Sequence, residues 1–182
     1  PGIEVELTFN DRFVDLVEEG VDVALRLGGA LPPQLVARRV GVSPRWLVAS
    51  PAYLQAAAAL RRPGDLARHH AIRFAWAAGG DSFELHGAQG ALQVPIRGRY
   101  RVNSSIAIRE AVLRGVGVSL APAWLVQDLV GEGRLVRVLP RWSGTPQEAH
   151  LLYPQRRYLP LRARAFLDFM LERIPRLPGF EP

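Results

Sequence analysis

The stretch "NDRFVDLVEEGVDVALRLGG", residues 10–29, decides the fold. Asn10 is a good helix N-cap, because its side-chain oxygen can accept a first-turn amide. Phe13, Leu16 and Val17 follow at helical spacing, and Gly20 stands where a C′ glycine stops a helix. Residues 21–27 then read as a strand, apolar through Val21, Val23, Leu25 and Leu27, and it ends on Arg26 and the pair Gly28-Gly29. Upstream, Ile3, Val5, Leu7 and Phe9 alternate with Glu4, Glu6 and Thr8, the period of a strand with one polar face. A strand–helix–strand unit this short predicts a parallel pair in an α/β sheet. It contains no catalytic pair, so its chemistry has to come from the helix end and from Arg26.

The same grammar returns in "VNSSIAIREAVLRGVGVSLAPAWL", residues 102–125. Polar residues open a helix over 105–115, Gly115 closes it, and an apolar run follows. Two such units predict two similar lobes. Between them, residues 36–40 and 46–49 read as strands. Ser50-Pro51 is an N-cap followed by proline at the first helical position, with the helix running through Leu60 to Arg61-Arg62 and Pro63-Gly64. "SFELHGAQGALQVPIRG", residues 82–98, alternates on both sides of a glycine-bearing turn and predicts an antiparallel hairpin. A helix over 123–130, a strand over 135–139 and the strand "EAHLLYP" follow. The last helix spans 160–174, with Phe166, Phe169 and Ile174 on its buried side, and the tail 176–182 is expected to fray.

The bulk properties narrow the classes. The chain has 182 residues, 48% of them apolar, and no run near the ~20 apolar residues of a membrane helix. Residues 1–11 carry acids and no basic region, unlike a signal peptide. The absence of cysteine excludes disulfides and thiolate sites and agrees with a cytoplasmic location. The net charge is +6, and every one of the 23 basic residues is arginine. They are scattered singly or in pairs, without an aromatic-interleaved stripe or a helix-turn-helix pattern, so the chain itself is not expected to grip DNA.

Candidate chemistry is sparse. His69, His70, His86 and His150 lack metal-ligand spacing and read as surface or loop residues, with His69 and His70 pointing to opposite sides. "GVGVSL" follows a helix instead of a strand and lacks the third glycine of a dinucleotide loop. Ser119 has no nucleophile-elbow context. Glu18-Glu19 diverge on a helix and suit a solvated face. What remains is two helix N-termini, at Asn10 and at Ser104/Ser105. Their free amides and positive dipole ends favour polar or anionic ligands, although plain capping accounts for the same residues. Arg26 either pairs an anion or stabilises its own lobe.

Taken in order, "DRFVDLVEEGVDVALRLG", "LVARRVG", "SPAYL" with "RPGDL", "VNSSIAIREAVLRGVGVSLAPAWLV", "GRLVRVLP" and "YPQRRYLPLRARAFLDFM" resemble the effector-binding domain of LysR-type transcriptional regulators, over nearly all of residues 1–174. The resemblance implies a two-lobed α/β fold like the type II periplasmic binding proteins, with mixed sheets, flanking helices and two crossover strands near residues 49–50 and 150–152. Lobe I would be 1–49 plus 150–175, lobe II 50–149, and 176–182 a tail. It also implies that a small polar or anionic effector meets Asn10, Ser104, Ser105, Trp76 and Pro122, with Arg26 nearby. No cofactor or metal is implied, nor any catalysis. A homodimer or higher homo-oligomer is implied, and in the dimer the strand 3–9 and the helix 106–114 meet across subunits. DNA contact would belong to a helix-turn-helix domain outside this chain. Family domains begin with a strand and a helix ahead of the segment matching Ile3, so the chain is expected to be a fragment. The rival is a solute-binding protein of a transport system with the same fold.

Overall fold

The chain folds, in a computed structural model, into two units, and the structure describes residues 2–9, 15–75, 80–155 and 159–181. Unit 1 comprises Pro1–Val42 and Glu148–Pro182; unit 2 comprises Ser43–Gln147. The chain passes between them inside two long strands, β2 (Leu35–Ala49) and β9 (Gly144–Pro154). β2 replaces the two strands expected at 36–40 and 46–49. The unit boundaries fall inside these strands, at 42/43 and 147/148, not at 49/50 and 149/150.

In unit 2, β2 pairs antiparallel with β7 (Val118–Pro122), which lies parallel to β3 (His70–Phe74). β3 is in turn parallel to β6 (Arg97–Val102), and the short β8 (Val136–Arg137) joins β2. Alternation along β2 feeds two cores. Leu47 and Ala49 pack with Leu66, Phe83, Leu85 and Leu120 on one side. Val48 packs with Ile72, Ile108, Val112, Val126 and Leu129 on the other, against α2 (Ser105–Leu113) and α3 (Ala123–Gly131). Each fully buried aliphatic side chain contributes about 1.5–3 kcal/mol. The hairpin forms as expected from β4 (Ser82–Gly87) and β5 (Gly90–Pro95), with Phe83 opposite Val94 and Leu85 opposite Leu92.

α1 (Pro51–Ala56) starts as read, with Ser50 Oγ accepting from the Tyr53 amide at 3.3 Å. It stops four residues before Leu60. Alanine propensity alone does not hold so short a helix. Asp65 moreover collects the Arg61 and Arg62 amides at 3.0 and 3.1 Å, opening a 3-10 helix at Pro63–Arg68.

In unit 1, β1 (Ala24–Leu27) pairs antiparallel with β9, Arg26 opposite His150. The expected parallel partner is not formed: residues 2–9 adopt no strand, and Ile3, Val5, Leu7 and Phe9 are exposed. Alternation gives such a segment an apolar face, but a strand also needs a ladder partner, and none is present among the described residues. Of the helix read over 10–20, residues 10–14 lie outside the described residues, and 15–20 form turns. Asp15 Oδ1 accepts from the Val17 and Glu18 amides at 2.9 and 3.2 Å, so the cap of this turn is Asp15. Gly20 ends the turn as read. Its φ is +67°, and Val21 N–H bonds to Leu16 O while Gly20 N–H bonds to Val17 O. Gly115 closes α2 by the same pair of bonds, to Ala111 O and Val112 O, at φ +75°. The shared grammar of the two segments is this glycine-terminated stop.

α4 (Leu161–Arg173) buries Ala163 and Leu167, with Ile174 just beyond it, against Val40, Ala149 and Leu151. Phe169 faces solvent, contrary to expectation. The tail does not fray before its end: Val42 and Glu181 exchange two backbone bonds, at 2.8 and 2.7 Å, and Phe180 packs on the unit 1 core.

Two histidines are buried, not superficial: His69 and His150. Tyr53 Oη accepts the His70 amide at 3.0 Å, so its own proton is free for His69 Nδ1 at 3.1 Å. The other ring nitrogen, Nε2, is buried with no hydrogen-bond partner among the described residues. Burial first, and then the Arg68 and His70 charges, hold its pKa below 6.5, with Asp65 opposing. Between that lowered value and 6.5 the unfolded chain binds more protons than the folded one. Stability from this site is therefore complete above about pH 6.5 and is lost as pH falls through the folded pKa. Urea melts at pH 7.5 and pH 5.0 are expected to show this loss, at most about 1.4 kcal/mol per pH unit, and His69→Gln is expected to remove that component. Equal pH slopes for the two proteins would contradict the assignment.

Candidate functional site

The parallel strands β3, β6 and β7 end side by side, since Phe74 lies opposite Val102 and Ile72 opposite Ser119. In α/β sheets such a carboxyl edge is where ligands bind. Two nine-residue helices begin there. Ser104 caps α2, its Oγ accepting from the Ala107 amide at 3.3 Å, and Ser105 is the first helical residue. Pro122 ends β7 and is the N-cap residue of α3, but it offers no side-chain cap. The fully buried Ser43 of β2 supplies one, its Oγ accepting from the Trp124 amide at 3.2 Å. Trp124 Nε1 donates to Gln147 Oε1 at 2.8 Å.

Arg109 fixes α2 to α3. It donates to both carboxylate oxygens of Asp128, at 2.6 and 2.5 Å, and to Leu125 O at 2.5 Å. That hydrogen bonding holds the Asp128 pKa down, to about 2, and raises that of Arg109. The two helix starts are thereby held in one arrangement. Ser119 donates to Ile72 O at 3.1 Å and is buried, tying β7 to β3, so it is not positioned as a nucleophile.

Of the residues singled out in the sequence, Ser104, Ser105 and Pro122 meet at this edge of unit 2. Arg26 lies in β1 of unit 1, half-buried, with Nε donating to Gly28 O at 3.2 Å. Asn10 and Trp76 lie outside the described residues. Sequence reasoning passed over Ser43, Arg45, Trp124 and Gln147. Ser43 and Trp124 are 81 positions apart, a pairing no local pattern announces. Arg45 is the lone charged residue in "SPRWLVAS", residues 43–50. Among the described residues no cluster of three or more His, Asp or Glu could hold a metal, and no helix is long and apolar enough to cross a membrane.

Two α/β units threaded by two long strands, with helix starts at a carboxyl edge, define a type II periplasmic-binding-protein-like fold. Residues 1–175 match the family model described as the LysR substrate binding domain, and the chain belongs to that family. It is 35% identical over 183 residues to the HTH-type transcriptional regulator PtxR of Pseudomonas aeruginosa, covering 98% of this chain and 57% of that protein. Among solved structures, full-length AphB, a Vibrio cholerae virulence activator, superposes with a TM-score of 0.79 at 29% identity, covering 93% of this chain and 58% of AphB. The regulatory domain of CrgA from Neisseria meningitidis gives 0.76 at 28% identity, covering 87% and 78%. The chain thus spans a little over half the length of the curated relatives it matches. Those relatives are transcriptional regulators, not transport proteins.

Proposed function

We propose that this chain is the effector-sensing part of a bacterial LysR-type regulator acting in the cytoplasm, without catalytic activity of its own. A small polar or anionic molecule would bias its conformation, and a DNA-binding domain outside the chain would report that bias. The observation that carries this reading is the convergence of two helix N-termini, with Ser104, Ser105 and Pro122, on one carboxyl edge. Arg26, Asn10 and Trp76 are proposed to contribute to the same effector site. A thermal-shift screen of small carboxylates, aromatic acids and neutral polar compounds should find a stabilising compound, since ligand binding raises stability by mass action. Ser105→Ala is expected to weaken that compound by roughly 1 kcal/mol. Unchanged affinity by calorimetry would sink the assignment of this edge.

Self-association belongs to the same reading. Ile3, Val5, Leu7, Phe9 and Ile106 are all exposed, an apolar set that suits burial against a second copy. Charge supports it: unit 1 holds ten arginines and eleven acids, whereas unit 2 holds thirteen arginines and six acids. Contacts pairing unit 1 of one copy with unit 2 of the other would be attractive. Light scattering should report a dimer, reduced to monomer by Ile106→Glu. A monomeric wild-type chain at high concentration would count against it.

A further inference from the structure

Trp124 makes two hydrogen bonds that end at the boundaries of unit 2. Its amide donates to Ser43 Oγ of β2 at 3.2 Å, and its indole Nε1 donates to Gln147 Oε1 of β9 at 2.8 Å. Ser43 is the first residue of unit 2 and Gln147 is the last. They lie on neighbouring strands of the sheet, the strands by which the chain enters and leaves the unit. One residue of α3 thus holds both crossings at the points where they begin.

Each bond has a defined chemistry. An indole N–H can only donate, so it fixes which way the Gln147 amide faces. Pro122 brings no cap to α3, and the Trp124 amide finds its acceptor on a fully buried serine 81 positions away. Capping α3 needs Ser43 alone, and packing on the core beneath α3 needs only the ring. The bond to Gln147 serves neither purpose; it adds the second strand. Trp124 is also the second residue of α3, whose start is held to α2 by Arg109 through Leu125 O and Asp128.

We propose that Trp124 is a positioning residue that locks the start of α3 to both strand crossings, so that the three move as one body. Packed side chains and hydrogen bonds with fixed partners are a physical means of coupling separate places in a fold. Its regulatory use rests on the effector-binding reading above: occupancy of the carboxyl edge would reach both crossings through Trp124.

Hydrogen–deuterium exchange of the 182-residue chain, read on the segments around residues 43 and 147, tests this without a ligand. Gln147→Leu removes the acceptor at similar size. Trp124→Phe keeps a ring on the core and removes the indole N–H. Each is expected to speed exchange around both residues about tenfold, and the double variant no further than either single one. β3 should keep its wild-type rate in all of them. Gln147→Glu retains an acceptor for the indole and should keep exchange near that of the wild type. Acceleration confined to the neighbourhood of 147, single effects that add in the double variant, or exchange unchanged by Gln147→Leu would each overturn the coupling. If Trp124→Phe loosens β3 as well, the contrast between Gln147→Leu and Gln147→Glu decides alone. Failure here leaves the effector reading standing, since the Ser105→Ala titration decides it separately.

Discussion

Replacing Gly98 with alanine is expected to destabilise unit 2 by about 3 kcal/mol or more. Gly98 lies in β6 where the β3–β6 register shifts between His70 and Ile72. A Cβ there would overlap the Ala71 carbonyl oxygen and come within 2.9 Å of its carbonyl carbon. Both obstacles are backbone, so no side chain can swing aside. Either the β3–β6 ladder opens or the bulge is lost, and β6 leads directly to Ser104. Urea denaturation followed by circular dichroism measures the effect. A loss under about 1 kcal/mol would mean that the strands do not approach this closely.

The second large effect separates two neighbours on α4. Leu167 is 3% exposed and sits in the unit 1 core, whereas Phe169 is 53% exposed, with Arg173 5.4 Å over its ring. Leu167→Ala is expected to cost about 2–5 kcal/mol through lost burial and a residual cavity. Phe169→Ala should cost about 0.5 kcal/mol or less, because a surface ring gives up little on truncation. The reverse ranking, measured by the same melts, would place the other face of α4 against the core.

That contrast shows where sequence reading reaches its limit. Periodicity locates an amphipathic helix, and 160–174 is one, but its rotation about its own axis is set by contacts made elsewhere. Size suggested a buried place for Phe169 and it is exposed, whereas Phe166 is half-buried; Ala163 and Leu167 are the residues that fit beneath. Local chemistry was legible wherever it was self-contained. Ser50 and Ser104 cap helices through amides three residues on, and Gly20 and Gly115 stop their segments by bonds within six residues. The antiparallel hairpin was legible from alternation on both sides of a glycine-bearing turn. Residues 3–9 show the opposite case: the pattern is that of a strand, but pairing is a property of two segments. The edge containing Ser104, Ser105 and Pro122 was partly readable, because strand-to-helix junctions announce themselves. Ser43 and Arg45 were not, because they reach that edge through the β2–β7 register, across more than seventy positions.

The central claim is that a ligand binds at the carboxyl edge of unit 2. Amide chemical-shift mapping on the ¹⁵N-labelled chain tests it most directly, using whichever panel compound raises the melting temperature most. The account predicts the largest perturbations at the amides of residues 104–107 and 123–125, with the β4–β5 hairpin and α4 silent. Perturbations centred on the hairpin or on α4, with those amides unmoved, would contradict it.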